Sequence, residues 1–327
     1  MKLPRTCKVL AAAAVTAIFL SRIVSPARAA GFGVDGADFL KIPVGARPAA
    51  LGGAYDALAD DPYAAAFNPA GLGFASSAGV AATYLSYMDS VSYDALSAAV
   101  PLRDRSGAPS GNGLGASVQY FSPGSVSGTD VNGNPAGNFN GHYLVADVAY
   151  GRSVSSRLSF GVGAKMISAA IKDVSATAYA ADLGAMYRLS DRVTLSAVAA
   201  NLGNSLKFIQ SSDPLPRQYR FGAAVRAVPS LQLVAQGLYE DGGAGFNAGT
   251  EWTPLAPLAL RAGYQSEAAQ GLSGAAGLTL GAGVRYGRIE LDYAWVPMGS
   301  LGATSFFSLV MSFGRGGRSA DEGGPSK

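Results

Sequence analysis

From about residue 78 onward the chain alternates apolar and polar-or-small residues with a period of two, in fourteen short segments. In 288–296, Ile289, Leu291, Tyr293 and Trp295 alternate with Glu290, Asp292 and Ala294. In 218–227, Tyr219, Phe221, Ala223 and Val225 alternate with Arg220, Gly222, Ala224 and Arg226. Successive side chains of a strand point to opposite faces, so each segment reads as a strand with one apolar face. The pattern predicts strands near 78–88, 91–101, 113–121, 142–152, 158–170, 174–188, 193–202, 218–228, 231–240, 244–254, 257–266, 274–286, 288–297 and 304–314. The number is even, and most segments have the roughly 9–11 residues that a tilted strand needs to cross an outer membrane. After the N-terminal region no apolar run reaches the roughly 18 residues of a spanning helix.

A soluble β-sandwich also alternates. Its polar face, however, would be rich in Lys and Glu, whereas only 14% of this chain is charged and the smaller phase is full of Gly and Ala. Loop lengths make an independent argument. With both termini periplasmic, connections after odd-numbered strands face outward and include the two longest, 122–141 and 203–217. Most of the others are tight, at 189–192, 228–230 and 286–288, the pattern of bacterial barrels; 102–112 is the exception. The expected fold is therefore all-β, a transmembrane antiparallel β-barrel of about 14 strands over 78–314. Tyr84, Tyr87, Tyr93, Tyr120, Phe121, Tyr143, Tyr239, Trp252, Tyr264 and Trp295 lie near strand ends. They suit interface girdles, or simply the aromatic preference for strands.

Residues 1–29 read as a cleaved secretory signal: Lys2, Arg5 and Lys8, an apolar run Val9–Leu20, then small residues around Ala27–Ala29. The alternative is a short N-terminal anchor. Five of the 25 basic residues precede position 30, where no acidic residue stands, which leaves 20 against 22 acidic. That balance argues against nucleic acid as a partner. Cys7 is the only cysteine and also falls in the signal, so thiol catalysis and cysteine-held metals are excluded from the mature chain. His142 is the only histidine, and a lone loop-end imidazole makes a poor catalytic base. No enzyme, cofactor or metal site is expected. Beyond the last strand, 315–327 reads as a polar, Gly-rich, disordered periplasmic tail.

Between signal and first strand, 30–77 does not alternate. It contains Gly45-Ala46-Arg47, then Gly52-Gly53-Ala54-Tyr55, Ala59-Asp60-Asp61 and Asn68-Pro69-Ala70-Gly71-Leu72. This string resembles the N-terminal hatch of FadL-type long-chain fatty acid transporters, and more closely the PorV/PorQ branch of that superfamily. The resemblance implies a plug folded back into the barrel lumen and a wall that opens sideways near its third strand. It further implies one of two roles in the bacterial outer membrane. The first is uptake of hydrophobic or amphipathic small molecules such as fatty acids. The second is partnership with the proteins of a type IX-like secretion system, without transport. Short loops offer little surface for gripping a protein, which favours transport.

The residues themselves add detail. Asn68-Pro69 ends any preceding helix, because a residue before proline avoids the helical region. The glycines Gly45, Gly52, Gly53 and Gly71 permit tight turns and close approach to a wall. Arg47, Asp60 and Asp61 inside a lumen need wall partners, since an isolated buried charge is costly. Inward candidates are Asp147, Lys165, Asp182, Arg188, Arg220, Arg226, Arg261, Arg285, Glu290 and Asp292, which would also suit a merely hydrophilic, salt-bridged lumen with no ligand. Gly113, Gly115 and Pro123 mark a candidate portal beside the third strand, or Pro123-Gly124 simply opens the long loop. Partners implied overall are outer-membrane lipid and either a hydrophobic ligand or secretion-system proteins.

Overall fold

A computed structural model describes residues 37–87, 91–129, 132–172, 174–209, 211–240, 243–266, 275–298 and 302–313. The signal, residues 30–36 and the tail lie outside these. The wall strands are β1 (Ala78–Tyr87), β2 (Val91–Arg103), β3 (Pro109–Ser122), β4 (Pro135–Ser153), β5 (Leu158–Ile171), β6 (Val174–Ser190) and β7 (Val193–Gly203). They continue as β8 (Gln218–Val228), β9 (Leu231–Glu240), β10 (Gly243–Leu255), β11 (Leu258–Gln265), β12 (Leu278–Tyr286), β13 (Ile289–Pro297) and β14 (Ala303–Phe313). Each pairs antiparallel with its sequence neighbours, and β14 pairs with β1 from Ala78↔Phe313 to Ser86↔Ser305. Fourteen strands thus close on themselves, and closure removes the free edges that a membrane would leave unsatisfied.

The period of two decides what each face does. Val80, Leu96, Val148, Phe160, Tyr179, Leu183, Phe221 and Leu291 all stand exposed on one phase. Ala81, Ala95, Ala99, Val145, Ala149, Ala178 and Ala294 are buried on the other. Large apolar side chains outside and small ones inside invert a soluble protein and match a wall bathed in hydrocarbon. Tyr84, Tyr120, Tyr239, Trp252 and Trp295 are exposed near strand ends, as a girdle requires. Tyr93 does not belong with them: it is buried on the inner face, where its hydroxyl donates to Gln119 at 3.2 Å. Phe121 and Tyr143 pack on Phe39, at centroid distances of 5.9 and 5.0 Å.

The loops account for the one exception in the length pattern. Strands β2 and β3 run past their apolar stretches, so the connection is only the turn at 104–108. There the Asp104 side chain accepts from the amides of Ser106 (2.8 Å) and Ala108 (3.1 Å), an Asx-type turn. Those bonds, with that of the Ser106 hydroxyl, hold the Asp104 carboxyl below its ordinary range. Polar residues hid these strand ends, because the alternation there has no apolar phase. The long loops carry hairpins of their own: Ser125–Thr129 against the start of β4, and Leu206–Phe208 against Ser211–Asp213.

Residues 37–77 form only short pieces: a 3-10 turn at Asp38–Lys41, α1 (Ala46–Ala50), α2 (Ala64–Phe67) and a 3-10 turn at Pro69–Phe74. Ala46, Ala49, Leu51, Tyr55, Ala59, Asn68 and Leu72 are fully buried. Phe39 lies at the long-loop end of the ring, α1 packs on β11–β14, and Pro69–Phe74 packs on β2–β6. The segment therefore fills the interior from one end to the other.

The outer face yields a test. Val148 stands outward midway along the paired part of β4, and Leu102 stands outward near a turn. Val148→Arg is expected to cost roughly 2–4 kcal/mol and Leu102→Arg about 0–1 kcal/mol, by urea unfolding in lipid vesicles. Equal costs at the two sites would place the bilayer elsewhere.

Candidate functional site in the barrel lumen

Arg47, on α1, is the hub of the interior. Its Nε and Nη2 donate to the two carboxylate oxygens of Glu251 on β10, at 2.7 and 2.9 Å. Nη1 donates to the Tyr55 hydroxyl at 2.9 Å and lies 3.5 Å from Asp61. The Tyr55 hydroxyl in turn donates to Asp61. Burial pushes the Asp61 carboxyl up to about 6, against the opposing pull of Arg47. On the wall, Glu251 also accepts from Arg261 Nε at 2.7 Å, and Arg261 reaches Asp292 and, at 3.1 Å, Glu290. Arg285 closes the row on Glu290. Charges of alternating sign thus run from the inner segment across four neighbouring strands, β10 to β13.

Two further ion pairs sit round the ring. Asp56 is fully buried and accepts from Arg220 Nε (2.8 Å) and Nη2 (3.2 Å), and the same Arg220 donates to the Phe67 carbonyl at 2.7 Å. Lys165 donates to Asp182 at 2.6 Å and to Asn201 at 3.1 Å, beside Asp147, which accepts from Ser117. At the long-loop end Lys41 pairs with Glu240 at 2.8 Å.

The Asn68-Pro69 element does what proline chemistry requires. Asn68 is extended at φ −146° and terminates α2, while Pro69 starts the next turn. The Asn68 carbonyl oxygen Oδ1 accepts from Ala70 N at 3.1 Å, and Nδ2 donates to the carbonyls of Asp56 (3.0 Å) and Ala185 (3.3 Å). One amide side chain therefore joins two turns of the segment to β6. Gly71 is forced by packing, since a Cβ there would stand 1.5 Å from the Ala59 carbonyl oxygen. Gly52, at φ +66°, combines a left-handed turn with an approach that would put a Cβ 2.6 Å from the Tyr264 carbonyl oxygen. Gly53 shares the left-handed conformation at φ +74°.

Of the inward candidates, Asp147, Lys165, Asp182, Arg261 and Asp292 are buried, and Arg220 and Glu290 are half-buried in ion pairs. Arg285 is exposed but paired. Arg188 and Arg226 lie apart from these, at the mouth formed by the tight turns, together with Asp60. Arg47 finds a wall partner; Asp61 pairs within its own segment and not with the wall. Asp56 and Glu251 carry two of these bonds and are not among the sequence candidates. Glu251 was legible, because Trp252 faces outward and its neighbour must face in.

The candidate portal residues lie on and just after an evenly paired strand. Strand β3 pairs with β4 from Asn112 to Phe121 without a register shift. Gly113 and Gly115 make room for Leu72: a Cβ would stand 2.2 Å from its carbonyl oxygen and 2.9 Å from its side chain, respectively. Pro123 follows the end of β3, and Gly124 at φ +80° opens the loop. Among the described residues, β3 thus keeps its pairing with both neighbours from Asn112 to Phe121.

The profile of the family described as type IX secretion system protein PorV matches residues 15–212. The chain belongs to this family. Among curated proteins none matches it by sequence. Among solved structures, the toluene transporter TodX of Pseudomonas putida is similar at 15% identity, with 83% of this chain and 97% of that one covered and a TM-score of 0.52. The monoaromatic hydrocarbon channel CymD is similar at 12% identity over 86% of this chain and 99% of that one, with a TM-score of 0.56. At such identities the likeness concerns the fold alone, a closed β-barrel.

The Asp56–Arg220 pair gives the cleanest test of how the segment is held. Arg220→Met strands a buried carboxylate and is expected to cost about 3–5 kcal/mol, read by urea unfolding. Adding Asp56→Asn should recover most of that loss; no recovery would mean that Arg220 acts through its bond to Phe67 alone.

Proposed function

We propose that this PorV-family barrel is an outer-membrane conduit for hydrophobic and amphipathic small molecules, with the segment ending at residue 77 as its plug. The observation that carries the reading is a concavity of about 820 Å³ in the lipid-facing wall. It is lined by Tyr84, Leu96, Tyr120, Val284, Leu291 and Phe307, from β1–β3 and β12–β14. An apolar recess in that position accepts a hydrophobic molecule straight from the membrane, where such molecules partition. The recess also includes one outward carboxylate, Asp94, and reaches the inward Thr83, Asp292 and Ser308. Inside, the Ser308 hydroxyl accepts from Ala46 N at 2.8 Å and bonds Thr83 at 2.9 Å, and Asp292 holds Arg261. One strand's thickness therefore separates the recess from the plug and its charge row. The similar barrels TodX and CymD are, by name, a toluene transporter and a hydrocarbon channel.

A second reading follows from the family. A type IX secretion protein PorV is a component of protein export, and a barrel filled from end to end suits a partner protein as well as a gated conduit.

A tether separates them. A Cβ at Gly115 would stand 3.1 Å from Ala65 Cβ, close to the roughly 3.5–4.5 Å of a disulfide. With Ala65→Cys and Gly115→Cys, oxidation pins α2 to β3. Toluene uptake into proteoliposomes should then fall to background and return on reduction. Undiminished uptake by the oxidised form would sink the plug as a gate. No uptake by the untethered barrel, with a stoichiometric partner after purification from outer membranes, would favour the export reading.

A further inference from the structure

The mouth formed by the tight turns holds a polar cavity of about 550 Å³, apart from both the charge row and the apolar recess. Four arginines line it: Arg157, Arg188, Arg192 and Arg226. The backbone sets them in two pairs. Arg188 N donates to the Arg157 carbonyl at 2.7 Å, and Arg226 N donates to the Arg192 carbonyl at 2.8 Å. Each turn arginine is thereby held beside a lumen-phase arginine of the next strand, across β5–β6 and β7–β8. The Arg188 guanidinium stacks on Phe74 of the inner segment, 3.8 Å from the ring centroid. Ala57, Leu58 and Asp60 of the same segment form part of the lining.

What distinguishes this cluster is that its positive charges outnumber the negative ones and are not held in ion pairs. Every other arginine or lysine described above as facing the interior has a carboxylate within ion-pair reach. None of these four does among the described residues, although Asp60 and Asp191 also line the cavity. The remaining polar lining is Ser156, Ser190, Thr194 and Gln232, which are hydroxyl and amide donors. Four guanidiniums against two carboxylates repel one another, and that repulsion is relieved by an anion entering between them. Guanidinium presents a planar fork of donors that fits carboxylate and phosphate oxygens two at a time. The volume lies within the roughly 300–1,000 Å³ of small-ligand sites.

The geometry points to an anion-binding site at this mouth, taking a phosphate or carboxylate group held by Arg188 and Arg226 from the strands and by Arg157 and Arg192 from the turns. The site stands whether the barrel conducts small molecules or serves export. By the rule of short periplasmic turns it opens to the periplasm. Two sources share the chemistry: a free anion, and the head group of an amphiphile.

Calorimetry on the purified barrel in neutral dodecyl maltoside tests this with two probes, inorganic phosphate and dodecyl phosphate. At least one should bind, and Arg188→Gln with Arg226→Gln should weaken it about tenfold or more, as expected for the loss of charge-assisted bonds. Arg105→Gln, on the neighbouring turn outside the cavity, should leave affinity unchanged. Arginine-dependent binding of dodecyl phosphate alone identifies an amphiphile head group; equal behaviour of both probes identifies a free anion. Binding of neither probe overturns the proposal. So does equal weakening by Arg105→Gln, which would reduce the cluster to a solvated basic rim. A strand-type circular dichroism spectrum from each variant confirms that the barrel is intact.

Discussion

Closing fourteen strands into a ring satisfies every ladder bond of the wall but leaves an interior that something must fill. Here the filler is a segment with almost no regular structure of its own, so its position has to come from contacts with the wall. The bidentate bond between Arg47 and Glu251 is the central one. A guanidinium is expensive to bury, and attraction to a single carboxylate roughly offsets that expense without adding much stability. What such a pair does supply is register. Arg47 fits only where Glu251 and Tyr55 present oxygens together, and Asp56 only where Arg220 does. With α1 tied to β10 and the following turn tied to β8, the apolar pieces between them have one way to pack.

The same requirement explains why the barrel was so legible in the sequence. A membrane wall needs an apolar phase outside, and the segments keep that phase with few interruptions, such as Asp94 on β2. The discrepancies fall where the requirement lapses. β3 extends back to Pro109 and β4 back to Pro135, through polar stretches that project beyond the apolar belt and carry no period. Tyr93, Phe121 and Tyr143 are aromatic for a different reason from their outward neighbours: they pack the interior, and a list of aromatics near strand ends does not record phase.

The interior was legible only in part. Asn68-Pro69, Gly52 and Gly71 announce themselves because each solves a backbone problem visible in the string. Charge partners are different, since they depend on which rung of which strand faces which turn of an irregular segment. The glycines of β3 show the limit from the other side. Gly113 and Gly115 signal an unusual place in the wall, and whether a glycine there bends the strand or admits a neighbour depends on Leu72, forty residues away in sequence and in contact in space.

Taken along its axis, the lumen changes character in three steps. Aromatics and an ion pair, Phe39 with Phe121 and Lys41 with Glu240, close the long-loop end. Mutually paired charges occupy the middle, so an ion entering there would have to displace an existing partner at a cost comparable to burying it alone. At the turn-side mouth the arginines have no such ion-pair partners among the described residues, so an anion there would displace no existing pair. A barrel arranged in this order resists free ion flow through its middle while offering an apolar recess in its wall and a cationic mouth at its inner end. On the proposed reading, a molecule with a hydrocarbon body and an acidic head suits both places, whereas the paired charges of the middle offer it no free partner. If the barrel is such a conduit, a path between recess and mouth has to skirt the charge row, and the part of the plug beside such a path is Ala64–Phe74, which packs against β2–β6, on the side away from Arg47 and its carboxylates.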